Sequence, residues 1–291
     1  MSEFLKGTGV ALVTPFDKDG VIDYDGVTAL VNFCIEGNID YLVVLGTTAE
    51  SVTLSKEEKK NLVAHIVKVN DKRLPIVIGI GGNNTAAVIE EIKEVNSSDF
   101  DAILSVVPMY NKPCQRGIYE HYKSINDNTE LPIILYNVPS RTAINMTAET
   151  TLRLAQLDKI IGIKEAVGDF SQILKIIKDK PADFLMISGD DSLALPAVAA
   201  GGDGVISVIG QGFPVAFSEM IRLGLLGETK KAFDILYKLL PVIGYAFEEG
   251  NPAGIKNILK QKGVCEDAIR LPLVPISSDL ETKIRGFVEN Y

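Results

Sequence analysis

The sequence has no tryptophan, only two histidines and only three cysteines. Cys34, Cys114 and Cys265 are scattered and odd in number, which excludes a disulfide framework and gives no zinc-ligand spacing. His65 and His121 each fall inside a helical pattern without a second ligand at helical spacing, so both are read as structural. No apolar run approaches the ~18 residues that a membrane span needs. The stretch MSEFLKGTGVALVTPF lacks a basic segment followed by an apolar one, so no secretory signal is expected and the cytosol is the expected location. Basic residues are also in deficit: 29 Lys and Arg stand against 38 Asp and Glu, a formal net charge of −9. That balance speaks against nucleic acid or an anionic membrane as a partner, but leaves room for a local basic pocket that takes an acidic small molecule. Neither GxGxxG nor GxxxxGK occurs. The nearest approach, GIGGNN at 79–84, does not predict a nucleotide site, although glycine amides ahead of a helix can still bind an anion.

What is present is apolar and periodic. The chain has 291 residues, 46% of them hydrophobic, enough to bury a substantial core. Eight short apolar runs recur, at 9–16, 41–47, 74–80, 102–108, 132–139, 160–165, 184–190 and 204–210. From the second run on, their starts are 20 to 33 residues apart, the period of a strand–helix unit. Nearly every position in a run is apolar, as in parallel strands covered on both faces. Between the runs lie helix-start signals: Ser55 with Glu58 as a capping box, Asp169 with Gln172, and Asn84 or Thr85 before Val88 and Ile92. The α/β class follows, specifically a (β/α)₈ TIM barrel over residues 1–224. Residues 225–291 form a C-terminal helical region, read as an appendage, with Gly263 as a helix stop.

In such a barrel the chemistry sits at the C-terminal strand ends. Taken in order, those ends offer Thr47 and Thr48, then Tyr110, then Tyr136 and Arg141, then Lys164, then the SGDD stretch with Gly189, and last GVISV with Ile206. Alternation along a strand puts Ile160, Gly162 and Lys164 on one face and Ile134 with Tyr136 on another. If both faces point inward, an amine and a phenol meet on adjacent strands, and Gly162 leaves room for the lysine stem. Two readings of Lys164 stand open on the residues alone: a strand-end charge bridged to Glu165 or another carboxylate, or a buried amine kept for chemistry. Burial disfavours a charged amine, so a desolvated lysine can act as a neutral nucleophile and form a Schiff base with a ketone. The pair Asp190-Asp191 caps a helix or binds a cation, capping being favoured.

GTTAES, YNVPSRT, GIKEA and SGDD, in this order, resemble the signatures of the pyruvate-dependent class I aldolase and N-acetylneuraminate lyase family, and NPAGIKNIL and RLPL extend the resemblance into the C-terminal helices. The resemblance implies that Lys164 forms a Schiff base with pyruvate and that Tyr136 is the general acid and base. It implies that Thr47 links Tyr136 to a Tyr110 donated by a second subunit, in a homodimer or homotetramer. Thr48 would hold the pyruvate carboxylate, Arg141 the carboxylate of L-aspartate 4-semialdehyde, and carbonyls near Gly189 and Ile206 would line the pocket. No metal or organic cofactor is implied. Within the family, PSRT with its Arg141 favours aspartate semialdehyde over the polyol substrates of N-acetylneuraminate lyases and 2-keto-3-deoxy sugar-acid aldolases. A catalytically dead barrel used as a binding module is the alternative of another class, and loss of Lys164, Tyr136 or Arg141 would have signalled it.

The chain also departs from the pattern. Ala49 stands where the family usually has glycine. In feedback-inhibited members lysine binds at the dimer interface, and the positions usual there are Lys56, Lys59, Ala87 and Met109 in this chain. Added positive charge and a lost carboxylate predict poor inhibition by L-lysine or none.

Overall fold

The computed structural model describes residues 3–291; Met1 and Ser2, which begin the N-terminal stretch considered above, lie outside the described residues. Eight parallel strands close into a barrel in sequence order, the first pairing with the last. They are β1 (Gly7–Ala11), β2 (Tyr41–Val44), β3 (Ile76–Gly79), β4 (Ala102–Val106), β5 (Ile133–Asn137), β6 (Ile160–Glu165), β7 (Leu185–Ser188) and β8 (Gly204–Ser207). The helices are α1 (Tyr24–Glu36), α2 (Lys56–Asn70), α3 (Thr85–Glu94), α4 (Gln115–Asn126), the single turn α5 (Pro139–Thr142), α6 (Ala148–Leu154), α7 (Phe170–Asp179), α8 (Ala194–Ala199) and α9 (Pro214–Leu225). Three more follow: α10 (Thr229–Glu248), α11 (Ala253–Gln261) and α12 (Ser278–Asn290).

The continuous apolar runs are explained by two cores. Alternate strand residues such as Val43, Val77, Ile134 and Ile187 fill the barrel interior, while their neighbours Leu42, Ile78, Ile133 and Met186 pack outward against the helices. The first run ends early. β1 leaves the sheet after Ala11, where Leu12 donates to the Val43 carbonyl and Val13 donates to Gln211 Oε1, so residues 12–16 are buried loop and not strand. Several helix starts follow their signals. Ser55 and Glu58 exchange a full capping box, and Asn84 rather than Thr85 accepts from the first turn of α3. Asp169 caps α7, but Gln172 does not reach back to it; its amide donates instead to Glu165. Gly263 takes a positive φ of 70° just beyond α11.

The alternation expected on the sixth strand needs correcting. A register shift falls between Ile133 and Ile134: Ile133 pairs with Ile160, but Ile134 pairs with Gly162. The extra residue, Ile161, packs toward the barrel interior, and Ile160 belongs to the outer core. Ile160 therefore does not share the face of Lys164. The bulge sets the register that follows, in which Tyr136 pairs with Lys164 and Asn137 with Glu165.

Candidate active site

A cavity of about 470 Å³ opens at the C-terminal mouth of the barrel. Thr47, Thr48, Tyr136, Arg141, Lys164 and Gly189 all contribute to its wall. Lys164 is only 5% exposed and Tyr136 only 7%. Lys164 Nζ lies 4.5 Å from the centre of the Tyr136 ring. The salt-bridge reading of Lys164 is not realised among the described residues. Glu165 points the other way, where its carboxylate accepts from Asn137 Nδ2 at 2.9 and 3.1 Å, Gln172 Nε2 at 3.0 Å and the Val167 amide at 3.0 Å. Burial pushes the Glu165 carboxyl up to about 7, and these hydrogen bonds oppose the shift without cancelling it.

Room for the lysine stem comes from a different glycine than the one expected. A Cβ on Gly162 would come within 2.7 Å of the Leu185 carbonyl oxygen, so that glycine serves the close approach of β6 to β7. A Cβ on Gly189 would meet Lys164 Cγ and Cε at 3.1 Å and the Ala166 methyl at 2.8 Å. Gly189 is the residue that leaves the stem its channel.

Thr47 and Thr48 lie in a one-turn 3₁₀ helix, Thr47–Ala49, that follows β2. Thr47 is exposed at the mouth and Thr48 is buried. Arg141, on α5, is exposed along the wall and donates from Nη2 to the Asn251 carbonyl at 3.3 Å. Ile206 sits in the barrel-interior layer, and Val208, two residues on, lines the cavity. Tyr110 is not brought to this group within one chain: it stands outside the cavity, 88% exposed, with φ 70°. The two aspartates of SGDD divide their work. Asp190 accepts from the Ser192 and Leu193 amides. Asp191 is buried and holds the turn after β8 through Ser207 Oγ at 2.5 Å and the Val208 and Ile209 amides. Burial raises its carboxyl to about 6. Among the described residues no cluster of three or more His, Cys, Asp or Glu is placed to hold a metal ion.

The C-terminal helices are not an appendage to this site. Leu240, Ile243, Gly244 and Phe247 of α10 and Asn251 beyond it complete the cavity wall. Asn251 Nδ2 donates to Thr48 Oγ1 at 2.9 Å. Behind that contact, fully buried Lys256 of α11 pairs with Glu50 at 2.5 Å, and Arg270 clasps Glu58 and the Thr53 carbonyl. In the sequence, NPAGIKNIL carried only the family resemblance, and nothing in it paired Lys256 with Glu50 or Asn251 with Thr48. A buried amine beside a phenol, with an exposed guanidinium on the same wall, suits covalent chemistry on a small anionic carbonyl compound.

Among the described residues no helix is long and apolar enough to cross a membrane. A sequence model described as the dihydrodipicolinate synthetase family matches residues 4–291. The 4-hydroxy-tetrahydrodipicolinate synthase of Flavobacterium psychrophilum is 54% identical over 97% of this chain and 97% of its own. That of Parabacteroides distasonis is 52% identical over 97% and 95%. Among solved structures, the chloride-inhibited dihydrodipicolinate synthase of Acinetobacter baumannii, complexed with pyruvate, superimposes with a TM-score of 0.95 at 38% identity, covering 98% of both chains. The chain is an enzyme, a lyase that belongs to the dihydrodipicolinate synthetase family.

Proposed function

We propose that this enzyme condenses pyruvate with L-aspartate 4-semialdehyde to 4-hydroxy-tetrahydrodipicolinate, the first committed step of diaminopimelate and lysine biosynthesis. The observation that carries the reading is the buried Lys164 amine packed on the Tyr136 ring in a cavity that also presents Arg141. The names of the relatives and the pyruvate bound by the Acinetobacter baumannii protein support it.

In this reading the Lys164 amine adds to the keto carbon of pyruvate, a proton is taken up and water leaves, giving a protonated imine. The imine withdraws electrons from the methyl carbon, which loses a proton to become the enamine carbon. That carbon attacks the aldehyde of the second substrate, whose oxygen takes up a proton. The substrate's own amino group then attacks the imine carbon, closes the ring and expels the Lys164 amine. Tyr136 carries protons between these steps, at the distance of a direct neighbour. Thr47 and the Tyr110 of a second copy would pass those protons to solvent; Tyr110, exposed on its own chain, is free to reach across an interface in a dimer or a dimer of dimers. Thr48 takes the pyruvate carboxylate, and Arg141 takes that of the aldehyde in a bidentate pair.

Insensitivity to L-lysine belongs to the same proposal. Lys56 and Lys59 stand at and near the start of α2, with Lys56 3.9 Å from Glu94, and Ala87 is exposed in the first turn of α3, so the positions at issue carry positive or neutral side chains and offer a cationic effector no carboxylate of their own. The condensation reading is tested by second-substrate competition. Turnover of pyruvate with aspartate semialdehyde supports it, whereas turnover with sugar aldehydes alone assigns the site to the aldolase branch.

A further inference from the structure

We propose that Asn251 is a positioning residue that fixes the polarity of the Thr48 hydroxyl, so that the hydroxyl can only donate toward the anionic end of the keto acid. The inference rests on the reading of Thr48 as the group that holds the pyruvate carboxylate.

A threonine hydroxyl carries one hydrogen and can point it either way. Here its oxygen accepts from Asn251 Nδ2 at 2.9 Å. An amide nitrogen has no lone pair to take a hydrogen in return, so the Thr48 proton is left for another acceptor. No other side chain among the described residues is hydrogen-bonded to Thr48 Oγ1. Both residues are buried, Thr48 at 3% and Asn251 at 8% exposure, so bulk water does not compete freely for that proton. The amide oxygen of Asn251 is itself buried without a partner, so among the described residues the bond to Thr48 is the only one its side chain makes.

The geometry is held from behind on both sides. Glu50 lies two residues after Thr48, Lys256 lies five after Asn251, and the two form the fully buried ion pair at 2.5 Å. The Lys256 amide also donates to the Pro252 carbonyl at 3.0 Å. The backbone carbonyl of Asn251 receives Arg141 Nη2, so the same residue touches the groups assigned to both substrates, one through its side chain and the other through its main chain. That division separates the two effects: side-chain replacement disturbs the pyruvate side and leaves the carbonyl under Arg141 in place.

The test compares wild type with Asn251→Ala, Asn251→Asp, Thr48→Val and the double variant Thr48→Val/Asn251→Ala. Each is titrated with pyruvate, trapped with borohydride and weighed, and the half-saturating pyruvate concentration is read. Loss of one oriented bond to a charged group predicts an increase of about tenfold for Asn251→Ala. Asn251→Asp, nearly isosteric, predicts a larger increase of about a hundredfold, because the introduced carboxylate takes the Thr48 proton and repels the substrate. The double variant should match Thr48→Val alone, and the KM for the aldehyde should change less than about twofold in Asn251→Ala. An Asn251→Asp enzyme with wild-type half-saturation, or losses that multiply in the double variant, would overturn the proposal. An unchanged half-saturation in Thr48→Val would overturn it through the Thr48 reading beneath it. Absence of any adduct on wild type marks instead the failure of the Schiff-base reading.

Discussion

Lys164 and Tyr136 are register partners on adjacent strands, and the amine of the first lies 4.5 Å from the ring centre of the second. The one-residue bulge at the start of β6 sets this pairing, because the residues that follow it meet β5 in the register that matches amine to phenol. In a regular register without the bulge, with Ile161 paired to Ile134, Ile163 would stand opposite Tyr136 and Lys164 would turn to the helix side.

The stem channel predicts the effect of Gly189→Ala. The added methyl would sit 3.1 Å from two carbons of Lys164 and 2.8 Å from Ala166 Cβ. The lysine stem gives way, and Ala166 Cβ, fixed to its backbone, is accommodated by a small main-chain shift; together they misplace the amine and should lower kcat by about a hundredfold. Steady-state kinetics together with a thermal melt separates this from unfolding: kcat should fall while the melting temperature changes by a few degrees at most.

The pair Glu50–Lys256 predicts an asymmetry between single and double substitution. Both side chains are withdrawn from solvent, so Lys256→Met leaves an unpaired buried carboxylate and should cost about 3–5 kcal/mol. Adding Glu50→Gln removes that charge and should restore most of the loss. Urea unfolding of the two variants measures both numbers, and additive losses would contradict the pairing.

Glu165 predicts a pH dependence of stability. Its carboxyl is raised to about 7 in the folded chain from an ordinary 4.5, so the native state holds this proton more tightly than the unfolded state. Its contribution to stability is therefore greatest below about 4.5 and declines as pH rises to about 7. Glu165→Gln should remove that decline, giving a flatter stability curve between pH 5 and 7 than wild type by urea titration. A variant curve parallel to that of wild type would contradict the assignment.

The positions on α2 and α3 predict the response to L-lysine. With Lys56 and Lys59 on the surface and no carboxylate at Ala87, initial rates at millimolar L-lysine should match those without it. Clear inhibition at submillimolar L-lysine would overturn this.

The barrel was legible because parallel strands buried on both faces leave uninterrupted apolar runs, and eight of them recurred with helix caps between. The residues gathered at strand ends were legible for the same reason: once the fold is a barrel, the ends of the runs must converge. The bulge at Ile161 was hidden because an all-apolar strand looks the same in either register. That Gly189 rather than Gly162 gives the lysine stem its room was hidden because a glycine's neighbours lie on other strands, outside any local pattern. Asn251 and the Glu50–Lys256 pair were missed because they join residues about two hundred positions apart, a distance no periodicity spans. Tyr110 is exposed and absent from the wall of its own cavity, so its proposed part depends on a surface that a single chain does not contain.

In the proposed reaction Lys164 becomes covalently attached to pyruvate. The direct measurement is to incubate the enzyme with pyruvate, reduce with borohydride, digest, and map the modified peptide by mass. One reduced pyruvyl adduct per chain is expected, located on Lys164, and none in Lys164→Ala. An enzyme that turns over without an adduct, or that carries it on another lysine, would contradict it.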